Sequence, residues 1–101
     1  MQGFRTYQSA VELYRACQGL KLKGHLRDQL MRASSSIVLN LAEGSSQPSR
    51  ANRCRFYAMA MGSLREVQAI IDLENLAQIR HSVDRVGGQL YRLLQANGKS
   101  G

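Results

Sequence analysis

From Leu26 to Gly44 the chain carries apolar side chains around more of a helix than a single bundle face can use. At about 100° per residue, Leu26, Leu30, Ala33, Ile37 and Leu41 fall on one face, and Met31, Ser34, Val38 and Ala42 widen it. The polar remainder is a narrow stripe of Gln29, Arg32, Ser36, Asn40 and Glu43. A helix with half its surface in water needs a broader polar side. This segment is therefore expected to have neighbours on several sides, which points to an assembled protein and not to a lone enzyme.

The same periodicity predicts three more helices. A first, over 6–19, places Ala10, Leu13, Cys17 and Leu20 on one stripe with Tyr7, Val11 and Tyr14 beside it. Gly19 and Gly24 bracket a short basic connection to the second helix, expected over 25–43, with Gly44 as its stop and Pro48 barring continuation. Ser49 is suited to cap a third helix over 50–74, whose core face holds Phe56, Met59, Ala60, Leu64, Val67, Ile70 and Ile71. A second face collects Ala58, Gly62 and Ala69 between Arg55 and Glu66, where small side chains would admit another helix at close range. A fourth helix, over 80–95, carries Val83, Val86, Leu90 and Leu93 and is expected to end before Asn97-Gly98. Short connections between four helices predict an all-α, antiparallel up-down-up-down bundle in one domain spanning residues 1–101.

The net charge of +7 is unevenly placed along the chain. Residues 1–65 hold ten Lys or Arg against Glu12, Asp28 and Glu43, whereas four cations and four carboxylates balance in residues 66–101. A one-sided positive field attracts polyanions. The candidate phosphate contacts are Lys21, Lys23 and Arg27 at the first connection, and Arg50, Arg53 and Arg55 around the start of the third helix. Such residues neutralise phosphates and release counterions without reading sequence, so the expected ligand is RNA or DNA bound with strong salt dependence. The bland alternative for each is a solvated rim, or for Arg55 an internal ion pair. Tyr57 is the nearest candidate for base stacking, with Phe56 assigned to the core.

Arg32, Asn40 and Glu43, together with Glu66, are suited to a structural polar network between helices or protomers. As a general base Glu43 would need an acid, nucleophile or metal nearby, and none is legible. His25 and His81 have no Cys or carboxylate at metal-ligand spacing, Ser34 to Ser36 lie mid-helix without a nucleophile elbow, and no phosphate-binding glycine loop occurs. The expectation is a non-enzymatic protein with no catalytic residues, metal or cofactor. Cys17 and Cys54 lack paired spacing, and no apolar run approaches membrane-spanning length, which favours a cytoplasmic protein without membrane attachment.

The residues Arg27-Asp28-Gln29-Leu30, Arg32-Ala33-Ser34, Ser36-Ile37 and Asn40 to Gly44, followed by Arg55-Phe56 and Ala60 to Glu66, carry a specific pattern. It closely resembles the four-helix-bundle proteins encoded in intervening sequences of bacterial large-subunit ribosomal RNA genes. The opening Phe4-Arg5 to Tyr14-Arg15 fits the first helix of that family, so the resemblance extends over about three quarters of the chain. The same family includes the accessory variability determinant of diversity-generating retroelements, a basic partner of a reverse transcriptase. The resemblance implies a homopentameric barrel of four-helix protomers with a positive surface that binds nucleic acid, and no catalytic activity. It also leaves open a scaffold role, in which the assembly recruits a reverse transcriptase or another nucleic-acid-associated protein.

Overall fold

The computed structural model describes residues 3–98, and within them the helical periodicity becomes four helices in the order expected. They are α1 (Phe4–Gln18), α2 (Gly24–Ser45), α3 (Arg50–Glu74) and α4 (Arg80–Gly98), with a single 3-10 turn at Ala77–Ile79 before α4. No strand occurs among the described residues. The two ends of the 1–101 domain, including Lys99, lie outside them.

Each connection has a local cause. Ser49 caps α3 by accepting a hydrogen bond from the Asn52 amide at 3.1 Å. Asn75 ends the same helix in the left-handed region at φ 53, from which Leu76 reaches back to the Ile71 carbonyl at 3.0 Å. Gly24 opens α2 at φ 72, a conformation that a side chain would strain. The 3-10 turn was not anticipated; it swings Ile79 into the core at the end of the bundle where α1 closes.

The helices form a bundle 44 Å long and 19 Å across, with α2 packed between α1 and α3 and α4 returning to α1. One core runs its length: Ala10, Leu13 and Cys17 from α1, Leu30, Ile37 and Leu41 from α2, Leu64, Val67 and Ile71 from α3, and Val83, Val86 and Leu90 from α4. Each of the leucines, isoleucines and valines among them contributes about 1.5–3 kcal/mol on leaving water, before the entropy of ordering the chain is set against it. The packing on both sides uses much of the wide apolar arc of α2. Leu39 is left over, 67% exposed on the outer side.

Four expectations are corrected. Gly44 does not stop α2 but lies inside it, because the Tyr57 ring of α3 rests where its side chain would be: a Cβ there would meet Tyr57 Cε1 at 2.7 Å. Tyr57 and not Phe56 is the fully buried aromatic; it continues the stripe of Ala60, Leu64, Val67 and Ile71, and its hydroxyl lies 3.3 Å from Ser45 Oγ. It offers no stacking surface. Met59, assigned to the core face, is 49% exposed because it lies off that stripe. Finally, Asn97 does not end α4. Its side chain folds back onto the Leu93 carbonyl at 2.8 Å and is buried within the last turn.

The close helix approach expected at Ala58, Gly62 and Ala69 is absent from the protomer: all three are exposed, and nothing lies within 4 Å of a Cβ built on Gly62. Close approach occurs instead at Gly44 and at Gly87, where a Cβ would meet Leu64 Cδ2 at 3.3 Å.

Burial pushes the Cys17 thiol up from 9.0 to about 11, an effect only partly offset by a hydrogen bond with Ser34. The fold thus favours the neutral thiol. Its contribution to stability is complete below the unfolded value of 9.0 and is lost as pH rises toward about 11. At about pH 8 a thiol reagent should label half-buried Cys54 quickly and Cys17 only as fast as the bundle opens; equal rates would show that the α1–α2 packing is loose. Gly44→Ala should destabilise the chain by about 1–3 kcal/mol in urea unfolding through overpacking against Tyr57. By contrast, Gly62→Ala in the isolated protomer should stabilise it by up to about 1 kcal/mol.

Candidate nucleic-acid interface

Alternating helix direction decides where the cations go. α1 and α3 begin at one end of the bundle, where α2 and α4 finish, so Gly3 lies against Leu93 and Ser45, and Arg53 reaches Asn97. The two expected basic groups therefore occupy opposite ends. Lys21, Lys23 and Arg27 flank the α1–α2 connection, whereas Arg50, Arg53 and Arg55 lie at the start of α3.

Position along the bundle axis separates charge more sharply than position along the chain. The half containing the α2–α3 connection holds Arg5, Arg50, Arg53, Arg55 and Arg92, with Glu43 as its carboxylate. The other half holds eight cations, Arg15, Lys21, Lys23, Arg27, Arg32, Arg65, Arg80 and Arg85, against six carboxylates, Glu12, Asp28, Glu66, Asp72, Glu74 and Asp84. There Arg80 pairs with Asp72 at 3.1 Å and Arg85 approaches Glu12 at 3.8 Å. These exposed pairs are worth little to stability, yet they locally neutralise the field of that half.

The candidate cations differ in what they are already doing. Arg53 is a structural clamp: Nε donates to Asn97 Oδ1 at 2.9 Å, and Nη1 donates to the Gln47 and Pro48 carbonyls, each at 3.0 Å. It ties the α2–α3 connection to the last turn of α4. Arg27 donates through Nη1 to the Leu20 carbonyl at 3.2 Å and so holds the first connection. Arg55 lies over the Phe56 ring, 5.0 Å from its centroid, and remains exposed. Lys21, Lys23 and Arg50 are exposed.

The four residues expected to form a polar network are not joined within the protomer. Asn40 donates to the Ser36 carbonyl at 2.9 Å and to Ser36 Oγ at 3.1 Å, and Ser63 on α3 donates to the same Ser36 hydroxyl at 2.9 Å. This makes a polar rung across the α2–α3 seam. Glu43 is exposed and receives a hydrogen bond from Ser46. Arg32 and Glu66 are exposed and have no ion-pair partner among the described residues. Ser34, by contrast, is buried and donates to the Met31 carbonyl of its own helix at 3.3 Å.

Arg5 and Arg92 were missed as interface candidates. A charge count along the sequence places Arg92 in a balanced segment, and only the return of α4 beside the start of α1 brings it near Arg5. The exposed aromatic rings are Phe4 and Tyr91. No grouping of three or more His, Cys, Asp or Glu suited to a metal occurs among the described residues, and no helix there is long and apolar enough to cross a membrane.

A family model described as 23S rRNA-intervening sequence protein matches residues 4–92. The chain belongs to that family. The match runs from the first turn of α1 into α4, so membership in the intervening-sequence family rests on all four helices and extends beyond the segments whose motifs suggested it. No curated protein matches the chain significantly.

Replacing Arg53 with Met keeps most of the packing and removes three hydrogen bonds from a charged donor. The expected loss is about 2–4 kcal/mol in chemical denaturation, with the last turn of α4 gaining rapid amide exchange. Retained protection at Asn97 would show that the clamp does not hold that turn.

Proposed function

We propose that this member of the intervening-sequence family is a non-enzymatic accessory protein that binds RNA or DNA through the arginine-rich end of its bundle, largely independently of sequence. The observation that carries this reading is the sorting of charge by helix direction: Arg5, Arg50, Arg55 and Arg92 gather where Glu43 is the carboxylate, while most carboxylates lie toward the other end. Arginines engage phosphate oxygens by paired donors and release counterions, which requires no base contact. Family membership is consistent with such a role.

The protomer also presents the surfaces that a homo-oligomer would use. Leu39 and Leu73 are exposed at 67% and 70%, and Ala58, Gly62 and Ala69 leave the outer side of α3 open to another helix. A pentameric ring, which the family resemblance implies, would repeat the basic end around an axis and turn weak contacts into additive ones. In such a ring Arg32 and Glu66 become available for pairing between copies.

The test is anisotropy titration of labelled RNA and duplex DNA over a range of salt, beside light scattering for oligomer size. Binding should be clear at low salt and fall steeply as salt rises, and its absence for both polymers would end the proposal. Arg50→Glu with Arg55→Glu should weaken binding by at least about tenfold, whereas Lys21→Glu with Lys23→Glu, at the opposite end, should change it by no more than about threefold. Equal losses would show that the sorted charge does not direct binding.

A further inference from the structure

Where α1 begins beside the last turns of α4, the surface folds in to form a recess of about 410 Å³. Its polar lining comes from Arg5, Thr6, Gln89 and Arg92, with the Gly3 backbone at its edge, and no carboxylate faces it. Arg5 and Arg92 come from different helices, and neither has an ion-pair partner among the described residues. An anion in this concavity would meet two positive side chains and no counter-charge. The start of α1 adds to the field, because no side chain caps its first-turn amides and no acidic residue lies among them.

Two further polar side chains line the recess. Thr6 is only 4% exposed, lines the recess, and its hydroxyl makes no hydrogen bond among the described residues. Gln89 Oε1 is buried with no hydrogen-bond partner. The Thr6 hydroxyl, on a nearly buried side chain at the wall of the recess and without a partner of its own, is open to an acceptor seated there. Thr6 can donate because its hydroxyl rotates freely, and Gln89 can donate through its NH2, the end of the amide that is not buried.

We propose that this recess seats one phosphate group of the bound nucleic acid. Arg5 and Arg92 supply charge from two sides, and Thr6, Gln89 and the first-turn amides of α1 supply fixed donors. The inference rests on the nucleic-acid reading above and deepens it, adding a defined phosphate position to an otherwise diffuse basic end. The ligand is a tetrahedral phosphate oxygen cluster, whether from the internal backbone or from a strand terminus.

The experiment follows backbone amides of the isotope-labelled full chain by NMR during titration with inorganic phosphate, a 5′-phosphorylated oligonucleotide and its 5′-hydroxyl counterpart. The amides of Phe4, Arg5 and Thr6 and the Gln89 side-chain NH2 should shift saturably. Equal shifts with both oligonucleotides place a backbone phosphate in the recess; shifts confined to the phosphorylated strand place a terminal one. Arg5→Gln with Arg92→Gln should lower oligonucleotide affinity by about tenfold and reduce the salt slope by about one to two, while Arg65→Gln on the side of α3 leaves both unchanged. Thr6→Val should cost about threefold without changing that slope. Oligonucleotide binding by the parent with these amides unmoved, and unchanged affinity in the double variant, would overturn the recess and leave the basic end standing. Shifts with inorganic phosphate in a parent that binds neither oligonucleotide would support the phosphate site and overturn the nucleic-acid reading. If the double variant fails to fold, the parent's shifts decide the matter alone.

Discussion

The seam between α2 and α3 rests on one aromatic ring laid against one glycine. Tyr57 fills the space that a side chain at position 44 would take, and its hydroxyl meets Ser45 one residue further on. This contact lets α2 run through Gly44 to Ser45 while α3 starts only a few residues later at Arg50. The short connection then leaves Arg53 close enough to hold its carbonyls and, through Asn97, the last turn of α4. Packing at Gly44 thus fixes where the basic residues of the α3 start stand relative to the other three helices. Further along the seam, the rung of Asn40, Ser36 and Ser63 adds direction to an otherwise apolar contact.

What was legible in the sequence was whatever repeats along one helix. The stripes of Ala10, Leu13 and Cys17, of Leu30, Ile37 and Leu41, and of Val83, Val86 and Leu90 are buried as their spacing required. On α3 the stripe of Ala60, Leu64, Val67 and Ile71 runs back to Tyr57, but spacing along α3 does not show that the seat of its ring is a glycine on another helix. Gly44 itself carries the signature of a helix stop, and only the ring across the seam shows that it is a seat. Asn97 was misread for a similar reason, since its partner Arg53 is 44 residues away.

The basic surface was visible as a quantity and not as a place. Net charge depends on composition, but the field depends on which residues the helix directions bring to one end. Counting along the chain linked Arg53 with Arg50 and Arg55, although Arg53 is committed to the fold, and it passed over Arg5 and Arg92. A count along the bundle axis recovers them. The exchange matters for the proposed interface, because a clamp and a phosphate contact make different demands on a guanidinium: the first needs its donors satisfied at home, the second needs them unspent.

The bond between Arg53 and Asn97 also sets an order of events during synthesis. Three helices can emerge and begin to pack while the carbonyls of Gln47 and Pro48 already have their donor, but the remaining Nε–H has no acceptor until the final turn of α4 has left the ribosome. The chain therefore cannot latch its bundle early. Whatever surfaces a nascent α1, α2 and α3 would turn toward α4 stay open until α4 itself has been made.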